Sequence, residues 1–146
     1  MKPPMTYSKE GLALTERFEG CKLEAYQDQV GVWTIGYGHT RGVHAGMTCT
    51  MEQAAQWLAE DTMEAQDAVN RFVSVDLTQH EFDALVDFVF NLGAGAFQRS
   101  TMLRLLNAGN HAGAADQFQL WDRAGGQVVA GLLRRRLAEK QEFLNA

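Results

Sequence analysis

Apolar residues recur every three or four positions over most of the chain, and this spacing predicts a mainly helical protein. The clearest segment follows Thr78, which forms a capping box with Glu81. Apolar side chains then occupy much of the helix circumference until Gly93, which is placed to end the helix. We therefore predict that residues 78–93 form the buried central helix.

Capping residues and glycines mark the other predicted helices. Ser8 is a suitable N-cap for a first helix that stops at Gly20, and Thr50 with Gln53 forms a second capping box. That box opens a long helix to about Phe72. The remaining predicted helices lie between Ser100 and Gly109, over about 111–123, and over 131–144.

A β-hairpin is predicted in the glycine-containing segment that follows the first helix. Gly31 lies where a three-residue loop, residues 29–31, places its left-handed residue. In that register Asp28 opposes Val32, Tyr26 opposes Thr34, and all four side chains share one face. A two-residue loop would instead put Thr34 on the face opposite Asp28.

Glu19, Asp28 and Thr34 are the candidate catalytic residues. Hydrolysis of a glycosidic bond needs one carboxyl group as proton donor and a second that directs a water molecule or stabilises positive charge. Taken singly, Glu19 is a surface residue at a helix end, Asp28 a turn former and Thr34 a strand residue. Their joint placement by a helix end and a hairpin favours the catalytic interpretation.

The sequence around these residues resembles the phage-type lysozymes, the endolysins of glycoside hydrolase family 24. The matching signature is the spaced set Glu19, Asp28 and Thr34 within FEG…AYxDxxGxxTIGYGHT. Further similarity lies in LTQHEFDALVDFVFNLG, STMLRLLNAG, WDRAGG and GLLRRRLAE, so the resemblance covers nearly the whole chain.

This resemblance implies roles for individual residues. Glu19 would be the general acid, Asp28 would position the attacking water, and Thr34 would help to hold that water or the sugar. Position within the matching segments suggests Phe90, Ser100 and Gln117 as substrate-binding residues, although Phe90 could equally be core and Ser100 only an N-cap. In the family a C-terminal arginine pairs with the catalytic glutamate, and Arg135 is the expected one here.

The implied fold is α+β and lysozyme-like, with a small β-hairpin lobe, a larger all-helical lobe and a cleft between them. The 146 residues would form a single domain. Its hairpin lobe would span about 16–50, its helical lobe about 1–15 and 73–146, and its connecting helix about 51–72. The implied activity is hydrolysis of the β-1,4 bond between N-acetylmuramic acid and N-acetylglucosamine in peptidoglycan.

The composition of the chain argues against a membrane span, a signal peptide and a metal site. We expect no membrane insertion and no signal peptide, because no apolar run approaches about 18 residues and the N-terminus has no apolar core. The resemblance then implies a monomer made in the host cytoplasm and released to the wall with a holin-type partner. No metal is expected, since His39, His44, His80 and His111 are scattered along the chain. No cofactor and no nucleic acid are expected either.

The sequence leaves alternatives for the cysteines and for the function. Two cysteines in a chain made in the cytoplasm more often remain free thiols than form a disulfide. Cys21 and Cys49 are therefore expected to be free, with a disulfide as the alternative. The function could also be hydrolysis of a chitin-like polymer, or wall binding without catalysis. The complete set of Glu19, Asp28 and Thr34 argues against the loss of catalysis.

Overall fold

The computed structural model describes residues 2–145, and helices hold most of them. Within that range the helices are α1 (Lys9–Glu19), α2 (Met51–Asp61), α3 (Met63–Phe72), α4 (Gln79–Leu92), α5 (Ala94–Gln98), α6 (Thr101–Asn107), α7 (His111–Ala115) and α8 (Ala130–Leu144). The strands form two hairpins, β1 (Lys22–Gln27) with β2 (Trp33–Gly36), and β3 (Arg123–Ala124) with β4 (Gln127–Val128). The predicted α+β class is confirmed.

The described chain divides into two compact units. One unit is Leu12–Met63, which holds most of α1, the first hairpin and α2; we call it the hairpin unit. The other combines the residues up to Gly11 with those from Glu64 onward, and we call it the helical unit.

The first hairpin has the register that the sequence predicts. Tyr26 pairs with Thr34, and the Asp28 N–H donates to the Val32 carbonyl over 2.9 Å. Gly31 has φ +88°, a conformation that glycine adopts without steric cost. A three-residue loop of residues 29–31 therefore sets which side chains share a face.

A second glycine permits the close approach of β2 to α2. Gly36 has φ +66°, and a Cβ atom there would lie 3.2 Å from the Ala54 Cβ. Ile35, Ala54 and Leu58 are almost fully buried and form part of the core of the hairpin unit. A side chain at position 36 would have to displace this packing.

The predicted long helix over residues 50–72 is divided at Thr62. Its N-terminus is as expected, because the Thr50 hydroxyl accepts from the Gln53 N–H over 3.1 Å. Thr62 caps α2, with its N–H donating to the Leu58 carbonyl and its hydroxyl to the Ala59 carbonyl, both over 3.0 Å. A threonine hydroxyl that bonds backward to its own helix competes with the regular pattern and bends the chain.

Helix α4 is the buried centre of the helical unit, as the sequence predicts. Eight consecutive residues of α4, from Phe82 to Val89, are buried. Phe88 makes edge-to-face contacts with Phe97, Phe118 and Trp121, with ring centroids 5.5–6.2 Å apart. Such aromatic pairs add about 0.5–1.5 kcal/mol each to the effect of burial.

Ionisable side chains are also buried between α4 and α8. Arg135 Nε and Nη2 donate to the two carboxylate oxygens of Asp87, each over 2.9 Å. Arg136 Nη2 donates to Glu139 Oε2 over 2.8 Å, and both side chains are fully buried. These side chains need their partners, because an isolated charge in this core would be strongly unfavourable.

The C-terminal helices differ in their bounds from the sequence prediction. The helix expected over 111–123 ends at Ala115, and a 3-10 turn, Phe118–Leu120, follows. That turn buries Phe118 against Phe88 and Phe143, so tertiary packing sets where α7 ends. The last helix begins at Ala130, one residue earlier than predicted.

Candidate active site

Glu19 is the final residue of α1 and is half-buried. The helix stops there because Gly20 takes φ +68°, as the sequence predicts. A Cβ atom built on Gly38 would lie 3.1 Å from Glu19 Oε1. The glycine-rich turn after β2 therefore lies directly against the Glu19 carboxylate.

That turn is held by paired backbone bonds and by one histidine. Ile35 and His39 exchange two N–H to carbonyl bonds of 2.9 Å, and both Gly36 and Gly38 have positive φ. His39 Nδ1 lies 2.7 Å from Asp61 Oδ2, and its ring stacks on Trp57 with centroids 4.5 Å apart. The GYGH segment is thus a rigid backbone feature beside Glu19.

Asp28 has one carboxylate oxygen fixed by the turn. Its Oδ1 accepts hydrogen bonds from the Val30 and Val32 N–H groups, each over 2.9 Å. Its Oδ2 accepts none from any residue in the range 2–145, and the side chain is exposed. Asp28 is therefore both a turn former and an oriented carboxylate with one oxygen open to water.

Thr34 is buried on β2, on the same face of the hairpin as Asp28. Its hydroxyl donates to the Val32 carbonyl over 3.0 Å. Because the hydroxyl proton is used in this way, the oxygen presents its lone pairs as acceptors. It can accept a hydrogen bond from a water or from a sugar hydroxyl.

The structure collects Glu19, Asp28 and Thr34 within the hairpin unit. The other predicted site residues belong to the helical unit. There Phe90 and Gln117 are half-buried, and the buried Ser100 accepts from the Leu103 N–H over 3.0 Å. Ser100 is therefore an N-cap, while the substrate contacts of these three residues stay predictions. Arg135 binds Asp87, and its pairing with Glu19 also stays a prediction.

Both cysteines are free thiols in the structure. Cys21 Sγ lies 3.9 Å from Met51 Sδ. Burial, and secondarily the neighbouring Cys21, raise the pKa of the Cys49 thiol. Burial also raises the pKa of the Tyr37 phenol, with smaller effects from Glu16 and Cys21. Raised pKa values keep both groups protonated near neutral pH.

Comparisons with known proteins identify the family of the chain. The family model described as phage lysozyme matches residues 16–139. The chain belongs to the phage lysozyme family. It is 42% identical over 146 residues to an endolysin of Acyrthosiphon pisum secondary endosymbiont phage 1, covering 97% of this chain and 100% of that protein.

Solved structures of other lysozyme relatives have the same fold. An endolysin from Escherichia coli O157:H7 phage FAHEc1 superposes with a TM-score of 0.92 at 40% identity, covering 99% of this chain and 97% of that one. The muramidase domain of SpmX from Asticcacaulis excentricus gives 0.91 at 41% identity, covering 97% and 99% respectively. The lysozyme-like fold and the assignment as a glycoside hydrolase are confirmed.

Two features of this lysozyme-family chain were not predicted from the sequence. The pairing of His39 with Asp61 and Trp57 joins residues about 20 positions apart, and only the histidine in GYGHT signalled it. A group of Glu10, His80 and Glu142 forms in the helical unit from three separate helices. No short sequence spacing could reveal that group.

Within residues 2–145, no helix combines the length and the apolar character that crossing a membrane requires.

Proposed function

We propose that this lysozyme-family chain is an endolysin that hydrolyses the β-1,4 bond between N-acetylmuramic acid and N-acetylglucosamine in peptidoglycan. The observation that carries the proposal is the joint placement of Glu19, Asp28 and Thr34 around one hairpin and its following turn. Similarity to proteins described as endolysin and as muramidase supports it.

Glu19 is the proposed proton donor to the leaving glycosidic oxygen. A general acid must be held in place so that its proton reaches the leaving group as the bond breaks. The end of α1 and the rigid turn at Gly38 supply this support. Glu19 is also half-buried, which limits competing contacts with bulk water.

Asp28 is the proposed orienting group for the attacking water. With Oδ1 fixed by two N–H groups, Oδ2 is the oxygen that can accept a hydrogen bond from that water. Thr34 adds a second acceptor on the same face of the hairpin. Two carboxyls that work on a water between them give inversion at the anomeric carbon, and inverting enzymes keep them about 6.5–9.5 Å apart.

The remaining parts of the proposal concern substrate contacts, domain division and release. We propose Phe90, Ser100 and Gln117 as contacts to the glycan, and Arg135 as a supporting residue for Glu19. The proposed division keeps a hairpin lobe at about 16–50, a connecting segment at about 51–72 and a helical lobe elsewhere. We also propose that the protein is a monomer, and that it is released from the host cytoplasm with the help of a holin-type partner.

Replacement of Glu19 by glutamine tests the proposal. Glu19→Gln keeps the size and hydrogen bonding of the side chain but cannot donate the proton, so turnover should fall by at least about a hundredfold. The measurement is clearing of a peptidoglycan suspension, with reducing ends counted in the products. Glu24→Gln, an exposed change on β1, is the matched control and should clear at the normal rate.

Four outcomes would contradict parts of this proposal. Near-normal clearing by Glu19→Gln would remove Glu19 from the mechanism. A protein that binds walls without releasing reducing ends would be a binding module, and faster action on chitin oligomers than on wall fragments would indicate a different substrate. NMR detection of the retained β-anomer in the first products would exclude inversion.

A further inference from the structure

Three side chains from three helices converge on the surface of the helical unit. They are Glu10 in the first turn of α1, His80 near the start of α4 and Glu142 near the end of α8. His80 Nδ1 lies 2.8 Å from Glu142 Oε1 and 3.4 Å from Glu10 Oε2. Within residues 2–145 this is the one group of three such side chains whose potential ligand atoms all lie within 4.8 Å of each other.

A hydrogen bond accounts for only part of this arrangement. One imidazole N–H donates well to one acceptor, and the contact of 2.8 Å with Glu142 uses it. The second carboxylate, at 3.4 Å, approaches the same ring nitrogen, although the Glu10 side chain is 69% exposed and could turn into solvent. Both carboxylates are therefore directed at the position of a single proton.

We propose that Glu10, His80 and Glu142 form a binding site for a zinc ion. Zinc bonds of about 2.0–2.2 Å to nitrogen and carboxylate oxygen, in tetrahedral geometry, place neighbouring ligand atoms about 3.4 Å apart. The distance from His80 Nδ1 to Glu10 Oε2 already has this value, and that to Glu142 Oε1 needs to lengthen by about 0.6 Å. The ligand oxygens of the two glutamates lie within 4.8 Å of each other and need to approach by up to about 1.4 Å. Rotation of exposed or half-buried side chains supplies such a change.

The ligand set favours zinc over the harder divalent cations. Two carboxylates and one neutral imidazole carry a charge that balances a divalent ion, and imidazole suits zinc well. Calcium takes six to eight oxygen ligands, which these residues do not provide. Solvent at the exposed Glu10 side chain leaves room for a water as the fourth ligand.

The proposed zinc site would be a structural site that cross-links three helices. It joins the first turn of α1, the first turn of α4 and the last turn of α8, whose ligands are separated by up to 132 positions in the sequence. Glu142 is itself held by Asn145, whose Nδ2 donates to Oε2 over 3.3 Å. Because an unfolded chain does not bring the three ligands together, zinc would bind the folded state preferentially and stabilise it.

Calorimetric titration of the purified full chain with zinc chloride tests this inference. We expect one zinc ion per chain and a melting temperature that rises with zinc concentration. His80→Gln should abolish both effects, and Glu10→Gln should weaken binding at least about tenfold because one ligand is lost. Glu10 is exposed, so Glu10→Gln should fold and melt like the parent protein without zinc.

His111→Gln is the matched control. His111 Nδ1 lies 2.7 Å from Glu81 Oε2, a histidine–glutamate pair that belongs to no group of three within residues 2–145. This variant should bind zinc like the parent protein. Binding that survives both His80→Gln and Glu10→Gln would overturn the proposal, as would no zinc binding by the parent, or tighter binding of calcium than of zinc. Loss of binding in a Cys21→Ser, Cys49→Ser double variant would assign the ion to the thiols and also overturn it.

Discussion

The two carboxylate oxygens of Asp28 have different surroundings. This difference allows the residue to be interpreted both as a turn former and as a catalytic carboxylate. Oδ1 accepts from two backbone N–H groups of the turn, while Oδ2 has no partner among residues 2–145. The structural role fixes the orientation that the catalytic role needs. The turn role and the proposed catalytic role of Asp28 are therefore compatible.

Asp28→Asn separates these two roles. The asparagine side-chain oxygen can still accept from Val30 and Val32, so the hairpin should keep its stability. The charge that orients the water is lost, and we expect clearing of peptidoglycan to fall by about a hundredfold. Urea unfolding and initial clearing rates measure the two effects.

Asp28→Ala is the companion variant, because it removes the turn bonds together with the charge. It should lose stability as well as activity, by about 1 kcal/mol or more in the free energy of unfolding. Full clearing activity in the Asp28→Asn variant would show that Asp28 serves the turn alone.

At the residue scale, the sequence predicts the placement of candidate site residues where they are close along the chain. Glu19, Asp28 and Thr34 lie within one short segment, so a helix stop and a hairpin register are enough to place them. The partners of His80 are 62 and 70 positions away, and only tertiary packing brings them together. That cluster could not have been predicted from local spacing.

At the element scale, the approach of β2 to α2 depends on Gly36. The strand end needs φ +66°, and a Cβ would meet Ala54 at 3.2 Å. Gly36→Ala should therefore lower the free energy of unfolding by about 2–4 kcal/mol, combining left-handed strain with overpacking.

Gly42→Ala is the matched control for that change. Gly42 has a similar φ of +72°, but a Cβ there has no neighbour within 4 Å. It should cost only the conformational strain of about 1–2 kcal/mol. Denaturant unfolding measures the loss in the free energy of unfolding for each variant. Equal losses would mean that the contact with Ala54 does not affect stability.

Element boundaries were predicted where a local signal specifies them. Gly20 predicted the end of α1, and Gly31 predicted the hairpin loop. The capping box at Thr78 predicted the start of α4. The break at Thr62 and the early end of α7 at Ala115 were missed. In the second case the burial of Phe118 decides the boundary, and no residue in the segment itself indicates it.

At the scale of the whole molecule, net charge should affect the encounter with the wall. The chain carries a net charge of −5, and we expect the proposed substrate, a bacterial wall with acidic peptide stems, to be anionic. Raising the salt concentration from about 10 mM to about 150 mM shortens the Debye length from about 30 Å to about 8 Å and screens this repulsion. We expect the initial clearing rate to rise over this range. Residues 99–146 carry seven basic and four acidic side chains, a balance of +3. A falling rate would mean that attraction between this basic segment and the wall dominates the encounter.

The buried ionisable groups of the helical unit make stability depend on pH. Burial raises the pKa of Glu139 well above its ordinary value of 4.5, and the nearby Asp87 adds to this, while Arg136 and Arg135 oppose it. The native state therefore holds the Glu139 proton more tightly than the unfolded chain does. Its stabilising contribution is complete below about pH 4.5 and is lost as the pH rises through the raised pKa.

Glu139→Gln removes this titration and tests the sign. The stability of the parent protein relative to Glu139→Gln should decline as the pH is raised from about 4 to about 9, in urea unfolding experiments at fixed salt. Glu64→Gln, on the exposed face of α3, controls for the loss of one surface carboxylate. The stability of the parent protein relative to this variant should not change with pH. If the ion pair with Arg136 outweighed burial, the native pKa of Glu139 would be lowered instead. The relative stability of the parent protein would then increase with pH, opposite to our expectation.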